Sequence, residues 1–466
     1  MWIKIGTTHS ELARGTDEEK EWLREYLSFP STSWAGGRPR QDVMRLYSLV
    51  DENFPAGFTS MVAKAARSHG FDVELLDNRL PPCATDMNAD LAWLRDYQLT
   101  GVDAAVQATR GILWLPTGSG KTEIAAGLTR RLPIKWVFLV HRQTLVDQAA
   151  ERYERRTGKV AGRIGEGKWE IGEQFTAATF QTLYAAMDTD RAKRLFHDTQ
   201  GLMIDEAHVT PADSFWKVAM RFRNAYYRIG LSGTPLARGD KRSVLAIAAL
   251  GNIIYRIKTD TLVDAGVLSK PKIRLIPVYQ ESDAPTWQGV YGECIVRGAR
   301  RNKALVEAAT KAQKPCLVFV KEIKHGKLLL KQLTKAGVKA DFVWGTDSTD
   351  SRKALVTRLV RGETDVLICS VIFQEGVDIP ELKSVVIGSA GKSVIAALQR
   401  IGRGMRKSEG KDTFEVFDIL DSGNKWMAAH AIERRNAYIA EGHSISVDTN
   451  ATYASNKPGT VGTLGL

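Results

Sequence analysis

An apolar run at Ile112–Leu115 leads directly into Leu115-Pro116-Thr117-Gly118-Ser119-Gly120-Lys121-Thr122, a turn that should open a helix. A buried strand, a glycine turn and a helix in that order form the building unit of parallel α/β sheets, so this junction constrains the fold more than any other stretch. Gly118 and Gly120 let the backbone bend until its amide N–H groups face a chain of phosphates. Lys121 places a point charge on the β- and γ-phosphates, and Thr122 offers its hydroxyl to Mg²⁺. Thr117 and Ser119 complete the loop. The strict pattern has glycine where this chain has Leu115. The expected ligands are ATP and Mg²⁺.

Two later stretches extend that chemistry. Asp205-Glu206-Ala207-His208 follows the apolar run Leu202–Ile204. Asp205 ends a strand, so its carboxylate should emerge at the sheet edge, where open α/β sheets bind ligands. Asp205 is the candidate Mg²⁺ residue, and Glu206 is the candidate base that orients and polarises water. His208 has two readings, a link from nucleotide to a domain interface or a hydrogen-bonded structural histidine. Further on, Gln399-Arg400-Ile401-Gly402-Arg403-Gly404-Met405-Arg406 sets Arg403 and Arg406 three apart, on one face if helical. Such arginines reach a γ-phosphate only if a second domain closes on the first, which makes hydrolysis conditional on closure. The alternative is a solvated basic helix face.

A length of 466 residues calls for roughly three domains of about 150 residues. The apolar share of 44% and charged share of 25% are those of a globular protein. There is no apolar run of membrane-spanning length, and Met1-Trp2-Ile3-Lys4-Ile5 reads as a short alternating strand rather than a signal peptide, so a cytoplasmic location is expected. Cys83, Cys294, Cys316 and Cys369 are far apart with no CxxC pair, which favours small buried hydrophobes over a metal or redox centre. The net charge of +12 is uneven. Residues 1–90 carry 10 Lys+Arg against 14 Asp+Glu, a balance of −4, and the rest carry 55 against 39, a balance of +16. The positive field lies with the phosphate loop, which points to a polyanionic partner.

Four segments are expected. Residues 1–85 read as a small α+β domain. Thr16-Asp17-Glu18-Glu19 is a capping box before Trp22, Leu23, Tyr26 and Leu27 at helical spacing. A second helix after Pro55-Ala56-Gly57 puts Phe58, Met61, Val62 and Ala65 on one face, and Phe71–Leu75 alternates like a half-buried strand. Pro81-Pro82 marks a linker. Residues 86–260 and 261–422 read as two tandem parallel-sheet α/β domains. The first has strands at Ile112–Leu115, Trp136–Val140, Phe175–Thr179, Leu202–Ile204 and Ile229–Leu231. The second has them at Ile273–Val278, Leu317–Val320, Asp341–Val343, Val366–Cys369, Val385–Ile387 and Phe414–Phe417. Gly266 and Pro271 sit in the join. Residues 423–466 hold a helix at Lys425–Ala440 and a polar tail from Thr449 whose composition predicts disorder.

In this order the motifs resemble those of a superfamily 2 DEAH-box helicase, from about residue 91 to 421. The resemblance implies two RecA-like domains. It assigns Gln98, in Leu94-Arg95-Asp96-Tyr97-Gln98, to adenine, with Arg95 stacking on the base. It matches Arg142 and Gln148 to motif Ia and Ala178–Thr182 to the next strand-binding segment. Ser232-Gly233-Thr234 stands at the coupling tripeptide, with Gly233 in place of the usual Ala. Gln374–Pro380 stands at motif V, which brings Gly376 and Asp378 to the nucleotide. The Leu-Arg-x-Tyr-Gln opening, Arg301-Asn302 before a helix and the N-terminal module are similar to the branch of XPB and the phage helicase UvsW.

By that resemblance a single strand crosses both α/β domains, and contacts to its phosphates carry no sequence information. Arg142, Thr179, Thr182, Lys321, Gly345 and Ser370 are the candidate contacts by motif position; each also suits a loop or cap. Trp344 is read as a stacking or wedge residue, or as partly buried core. The expected function is an ATP-dependent DNA helicase or translocase, 3′→5′, acting on single strands, forks and four-way junctions in recombination, replication or repair. An RNA helicase and an ATP-gated clamp remain open alternatives. The −4 N-terminal segment argues against a broad phosphate clamp there, and leaves a local patch of Arg38, Arg40 and Arg45, or a protein partner; the patch also suits an ordinary surface loop. A monomer is expected.

Overall fold

The computed structural model describes residues 1–35, 38–82, 86, 88–207, 212–233, 241–345, 347–370, 379–391, 402, 404, 405, 407, 408, 411–440 and 442–448. For 32–35, 38, 39, 212, 213, 241–243, 349 and 440 it describes the backbone alone. The chain divides into two compact units. The first comprises Met1–Pro116 and Gly120–Ile257; Lys258–Leu466 forms the second, with which Thr117–Ser119 are grouped.

The first unit begins with β1 (Trp2–Ile5), β2 (His9–Arg14), β3 (Ser28–Ala35), β4 (Arg38–Arg45), β5 (Asn53–Pro55) and β6 (Glu74–Asp77). Four of these make a sheet in the order β5-β2-β1-β6, and β3 and β4 pair separately as an antiparallel ribbon. The helix Asp17–Tyr26 starts at the capping box: Thr16 Oγ1 accepts from Glu19 N–H, and Glu19 Oε2 accepts from Thr16 N–H at 2.8 Å. Ribbon residues Phe29 and Met44 pack on the module core, and Phe29 stacks on Phe58 at 5.7 Å. Three expectations shift here. In the helix Thr59–His69 the buried stripe is Thr59, Val62, Ala63 and Ala66, so Met61 and Ala65 lie at its margin. Phe71 and Val73 pack on the core from chain outside any strand, and the strand begins only at Glu74. Arg40 and Arg45 stand exposed on a ribbon, not on a loop. Val244 and Ala248 of the helix Lys241–Leu250 join the same core. Gly57 lies so close to the carbonyls of Ile247 and Ala248 that a Cβ would overlap them.

The rest of the unit is an α/β sheet. Its strands are β7 (Arg110–Trp114), β8 (Trp136–Val140), β9 (Gly162–Gly165), β10 (Lys168–Glu170), β11 (Phe175–Thr179), β12 (Gly201–Asp205), β13 (Tyr227–Ser232) and β14 (Ile253–Arg256). The order is β10-β9-β11-β8-β12-β13-β7-β14, with β10 antiparallel and all other pairs parallel. β8 and β11 are buried at every residue, as strands covered on both faces by helices must be. β12 and β13 lie between β8 and β7. The strand order therefore doubles back beside the phosphate loop, where open α/β sheets form a ligand crevice at their carboxyl ends.

The second unit is a seven-stranded parallel sheet of β15 (Lys270–Tyr279), β16 (Cys316–Val320), β17 (Ala340–Val343), β18 (Val366–Ser370), β19 (Ser384–Ile387), β20 (Thr413–Ser422) and β21 (Ile445–Val447). Its order is β17-β18-β16-β19-β20-β15-β21. The helix Lys425–Ala440 has the expected bounds. Arg301 and Asn302 lie inside the first turn of the helix Ala299–Lys311 rather than before it. Arg301 is fully buried, 2.9 Å from Asp421 Oδ1, and also donates to Gly388 O at 2.7 Å. Asn302 Oδ1 faces His325 Nε2 at 2.8 Å. Burial and the Arg301 cation push His325 down to about 3, so it is neutral there. Cys294, Cys316 and Cys369 are buried, while Cys83 and the tail from Thr449 lie outside the described residues. No helix among the described residues is long and apolar enough to cross a membrane.

Candidate functional site

The phosphate loop leaves β7 and enters the helix Lys121–Arg131 through two left-handed glycines, Gly118 at φ 88° and Gly120 at φ 84°. Side chains rarely adopt that conformation, so the turn needs glycine at both places. Leu115 N–H donates to Ser232 O at 2.8 Å, which fixes the loop's entry to the end of β13. Gln98 sits in the first turn of the helix Asp96–Ala108. Its Oε1 accepts from Arg95 N–H at 3.0 Å, and its Nε2 lies where a Cβ on Gly120 would be. Gln98 is thus buried against the loop, while Arg95 is exposed beside Tyr97.

Lys121 Nζ donates to Glu206 Oε1 at 2.5 Å and lies 4.0 Å from Asp205 Oδ1. Asp205 ends β12, and its Oδ1 accepts from Glu206 N–H at 2.9 Å. Glu206 itself is left-handed at φ 47°. A non-glycine residue held there carries strain of order 1–3 kcal/mol, and such residues cluster at functional sites. Burial pushes the Asp205 carboxyl up to about 6 against the pull of the Lys121 ammonium, and the Glu206 charge adds to the push. A buried carboxylate next to a second carboxylate is costly to keep ionised unless a cation stands beside it. The Thr122 hydroxyl and the Asp205 carboxylate are hard oxygen donors, the set that fits Mg²⁺ completed by water and phosphate oxygens. A glycine turn, a lysine and two carboxylates at one sheet edge can hold a polyphosphate, a divalent cation and a polarised water together.

The candidate strand contacts fall on the same kind of edge in each unit. In the first, Arg142 follows β8 and Thr179 ends the neighbouring β11. Thr179 caps the helix Phe180–Ala186, and its Oγ1 lies 2.7 Å from Thr182 Oγ1, so both hydroxyls have a structural task. In the second, Lys321 follows β16, Gly345 follows β17 and Ser370 ends β18, three adjacent strands. Lys321 is exposed, with Nζ 5.2 Å from the Tyr291 ring. Gly345 O accepts from Arg352 Nη2 at 2.5 Å, and the buried Ser370 Oγ has no partner among the described residues. Trp344 packs on the core beside Phe342 at 4.9 Å, which is the partly buried reading.

His208, Thr234, Gly376, Asp378, Arg403 and Arg406 lie outside the described residues. Two contacts had no sequence signal. Arg256 stacks 3.8 Å over Trp114, and Tyr255 O–H donates to Tyr97 O at 2.9 Å. Both join residues more than a hundred positions apart, and neither belongs to a motif.

Residues 92–237 match the family described as "Type III restriction enzyme, res subunit", and residues 300–408 match "Helicase conserved C-terminal domain". A "Putative DNA 3'-5' helicase Rad25" of Halobacterium salinarum is 32% identical over 70% of this chain and 54% of its own length. The "ATP-dependent DNA helicase uvsW" of Enterobacteria phage T4 is 28% identical over 74% of this chain and 75% of its own. The chain spans 64% and 54% of the first two curated relatives it matches. Among solved structures, a fragment of a putative HsdR subunit of a type I restriction enzyme from Vibrio vulnificus aligns with a TM-score of 0.57 at 19% identity, over 90% of this chain and 91% of that one. That likeness speaks for a fold of tandem RecA-like domains.

Proposed function

The chain is a superfamily 2 helicase of the XPB and UvsW branch, and from that premise we propose that it is an ATP-dependent DNA helicase or translocase working 3′→5′ on forked and junction DNA. The observation that carries the reading is the grouping of Lys121, Asp205 and Glu206 beside the glycine turn at the carboxyl edge of the first α/β sheet. Relatives named as a putative DNA 3′-5′ helicase and a DNA 3′-5′ translocase support the substrate and the polarity. The +16 balance beyond residue 90 supports a polyanion held by the motor.

In this reading Lys121 and the Gly118–Gly120 amides bind the phosphates, while Gln98 and Arg95 hold the adenine end. Thr122 and Asp205 are the residues that would hold Mg²⁺, which offsets phosphate charge when bound with ATP. Glu206 orients and polarises the attacking water. Arg403 and Arg406 neutralise charge at the transferred phosphoryl, and Gly376 and Asp378 touch the nucleotide from the same domain. ATP draws the two RecA-like domains together, and release lets them part, so alternate grips through Arg142, Thr179 and Thr182 and through Lys321, Gly345 and Ser370 advance along a strand. We assign residues 1–85 to junction or partner recognition, 86–260 and 261–422 to the motor domains and 423–466 to a trailing helix and tail. We place a monomer in the cytoplasm, the host's if the gene is a phage's.

Strand displacement from a duplex with one single-stranded tail tests the proposal, with Lys121→Ala as the blank. ATP should drive displacement of the 3′-tailed DNA alone. Displacement of the 5′-tailed DNA alone would overturn the polarity. Brisk DNA-stimulated ATP turnover with no displacement from either would favour an ATP-gated clamp.

A further inference from the structure

Lys411 is 2% exposed, an unusual place for an ammonium group, and the ATP site as described makes no use of it. Its Nζ donates to Gly404 O at 2.5 Å and to Pro380 O at 2.8 Å. Burial pushes the group down to about 8, with the Glu381 charge opposing. The neighbouring carbonyl, Met405 O, accepts from Ser269 N–H at 2.6 Å. Ser269 Oγ in turn donates to Lys411 O at 3.0 Å. Two consecutive carbonyls of the Gly402–Arg406 segment are therefore fixed from outside it. Gly404 also lies flat against Phe414, where a Cβ would overlap the ring, and Lys411 Nζ sits 5.4 Å from that ring's centroid.

These contacts converge on the peptide groups between Arg403 and Arg406 in sequence. Pro380 closes the Gln374–Pro380 segment, so one ammonium bonds a carbonyl in each of the two second-domain stretches that the helicase reading gives to the nucleotide. We propose that Lys411 is a positioning residue, which sets the backbone carrying Arg403 and Arg406 and couples it to the Gln374–Pro380 segment. The inference rests on reading those arginines as the groups that act on the transferred phosphoryl. A guanidinium reaches only as accurately as its backbone is placed, and a misplacement of about 1 Å can cost about 10²-fold in rate. Lys411 touches no reacting atom and acts through the arginines.

The test is kcat and KM for ATP at saturating single-stranded DNA, with Lys411→Met, Gly404→Ala, the double variant Gly404→Ala with Phe414→Leu, and Arg403→Ala in parallel. Lys411→Met and Gly404→Ala should each lose between about tenfold and 10²-fold in kcat, with KM for ATP unchanged. Phe414→Leu, by opening space for the added methyl, should restore much of the kcat lost in Gly404→Ala. An unchanged kcat in Lys411→Met beside a large loss in Arg403→Ala would overturn the proposal, and so would a parallel rise in KM. A full kcat in Arg403→Ala would instead sink the reading on which it rests. Should Lys411→Met fail to fold, the glycine pair decides: no loss in Gly404→Ala, or no recovery in the double variant, overturns the proposal.

Discussion

Glu206→Gln is expected to lower kcat for ATP hydrolysis by about 10²–10⁴-fold, the range that a positioned general base contributes, while nucleotide binding persists. Glutamine keeps the length of the side chain and a hydrogen-bond acceptor for Lys121 Nζ, which now donates to Glu206 Oε1 at 2.5 Å. It removes the basic oxygen. The left-handed backbone at φ 47° is no better suited to glutamine than to glutamate, so the local geometry should hold. Losing one of two adjacent carboxylates also relieves the push on Asp205, whose carboxyl Glu206 helps to raise. The variant should therefore bind ATP and Mg²⁺ at least as well as the parent. Single-turnover hydrolysis with a nucleotide-binding titration separates the two effects. A loss below about tenfold, or a loss confined to binding, would remove Glu206 from the base role.

Arg403→Ala is expected to cost about 10³-fold or more in kcat, the scale on which an arginine stabilises the charge of phosphoryl transfer. ATP binding should be far less affected, because Lys121 and the glycine turn are unchanged. Arg406→Ala should fall in the same direction. The double variant should lose much less than the product of the two single losses, since groups acting as a unit are not additive. Steady-state turnover at saturating DNA, with KM for ATP, gives the result. Weaker ATP binding with kcat intact would mean that Arg403 holds the ground state and not the transition state.

How much of this was legible depended on burial. β8 and β11, Trp136–Val140 and Phe175–Thr179, have the bounds read from sequence because both faces are covered: β8 is an unbroken apolar run, and β11 interrupts its own only with the buried threonines Thr176 and Thr179. The edge strands β10, β14 and β21, and β9 next to the edge, escaped because they are short, glycine-bearing or half exposed; Ile253 is 42% exposed and Lys168–Glu170 is nearly all polar. The ribbon of β3 and β4 escaped for a related reason. Pro30, Pro39 and the serines read as loop, and pairing along eight residues overrides that local signal. Phe71 and Val73 show the reverse error, where alternation marked residues that pack without being a strand.

The site divides in the same way. Lys121, Asp205 and Glu206 were legible because motif spacing on strand ends brings them to one edge whatever the rest of the chain does. The resemblance gave Gln98 only to the adenine, and no periodicity carries its approach to Gly120. Lys411 was invisible, since Gly404 O and Pro380 O, to which it donates, are backbone carbonyls, one of them 31 residues away, and any residue type can present a carbonyl.

The most direct test of the central claim is ATP turnover measured against single-stranded DNA, forked DNA, a four-way DNA junction and matched RNAs, with Lys121→Ala as the blank. The account predicts strong stimulation by forks and junctions and little by RNA. Stimulation by RNA alone, or turnover indifferent to every nucleic acid, would contradict it.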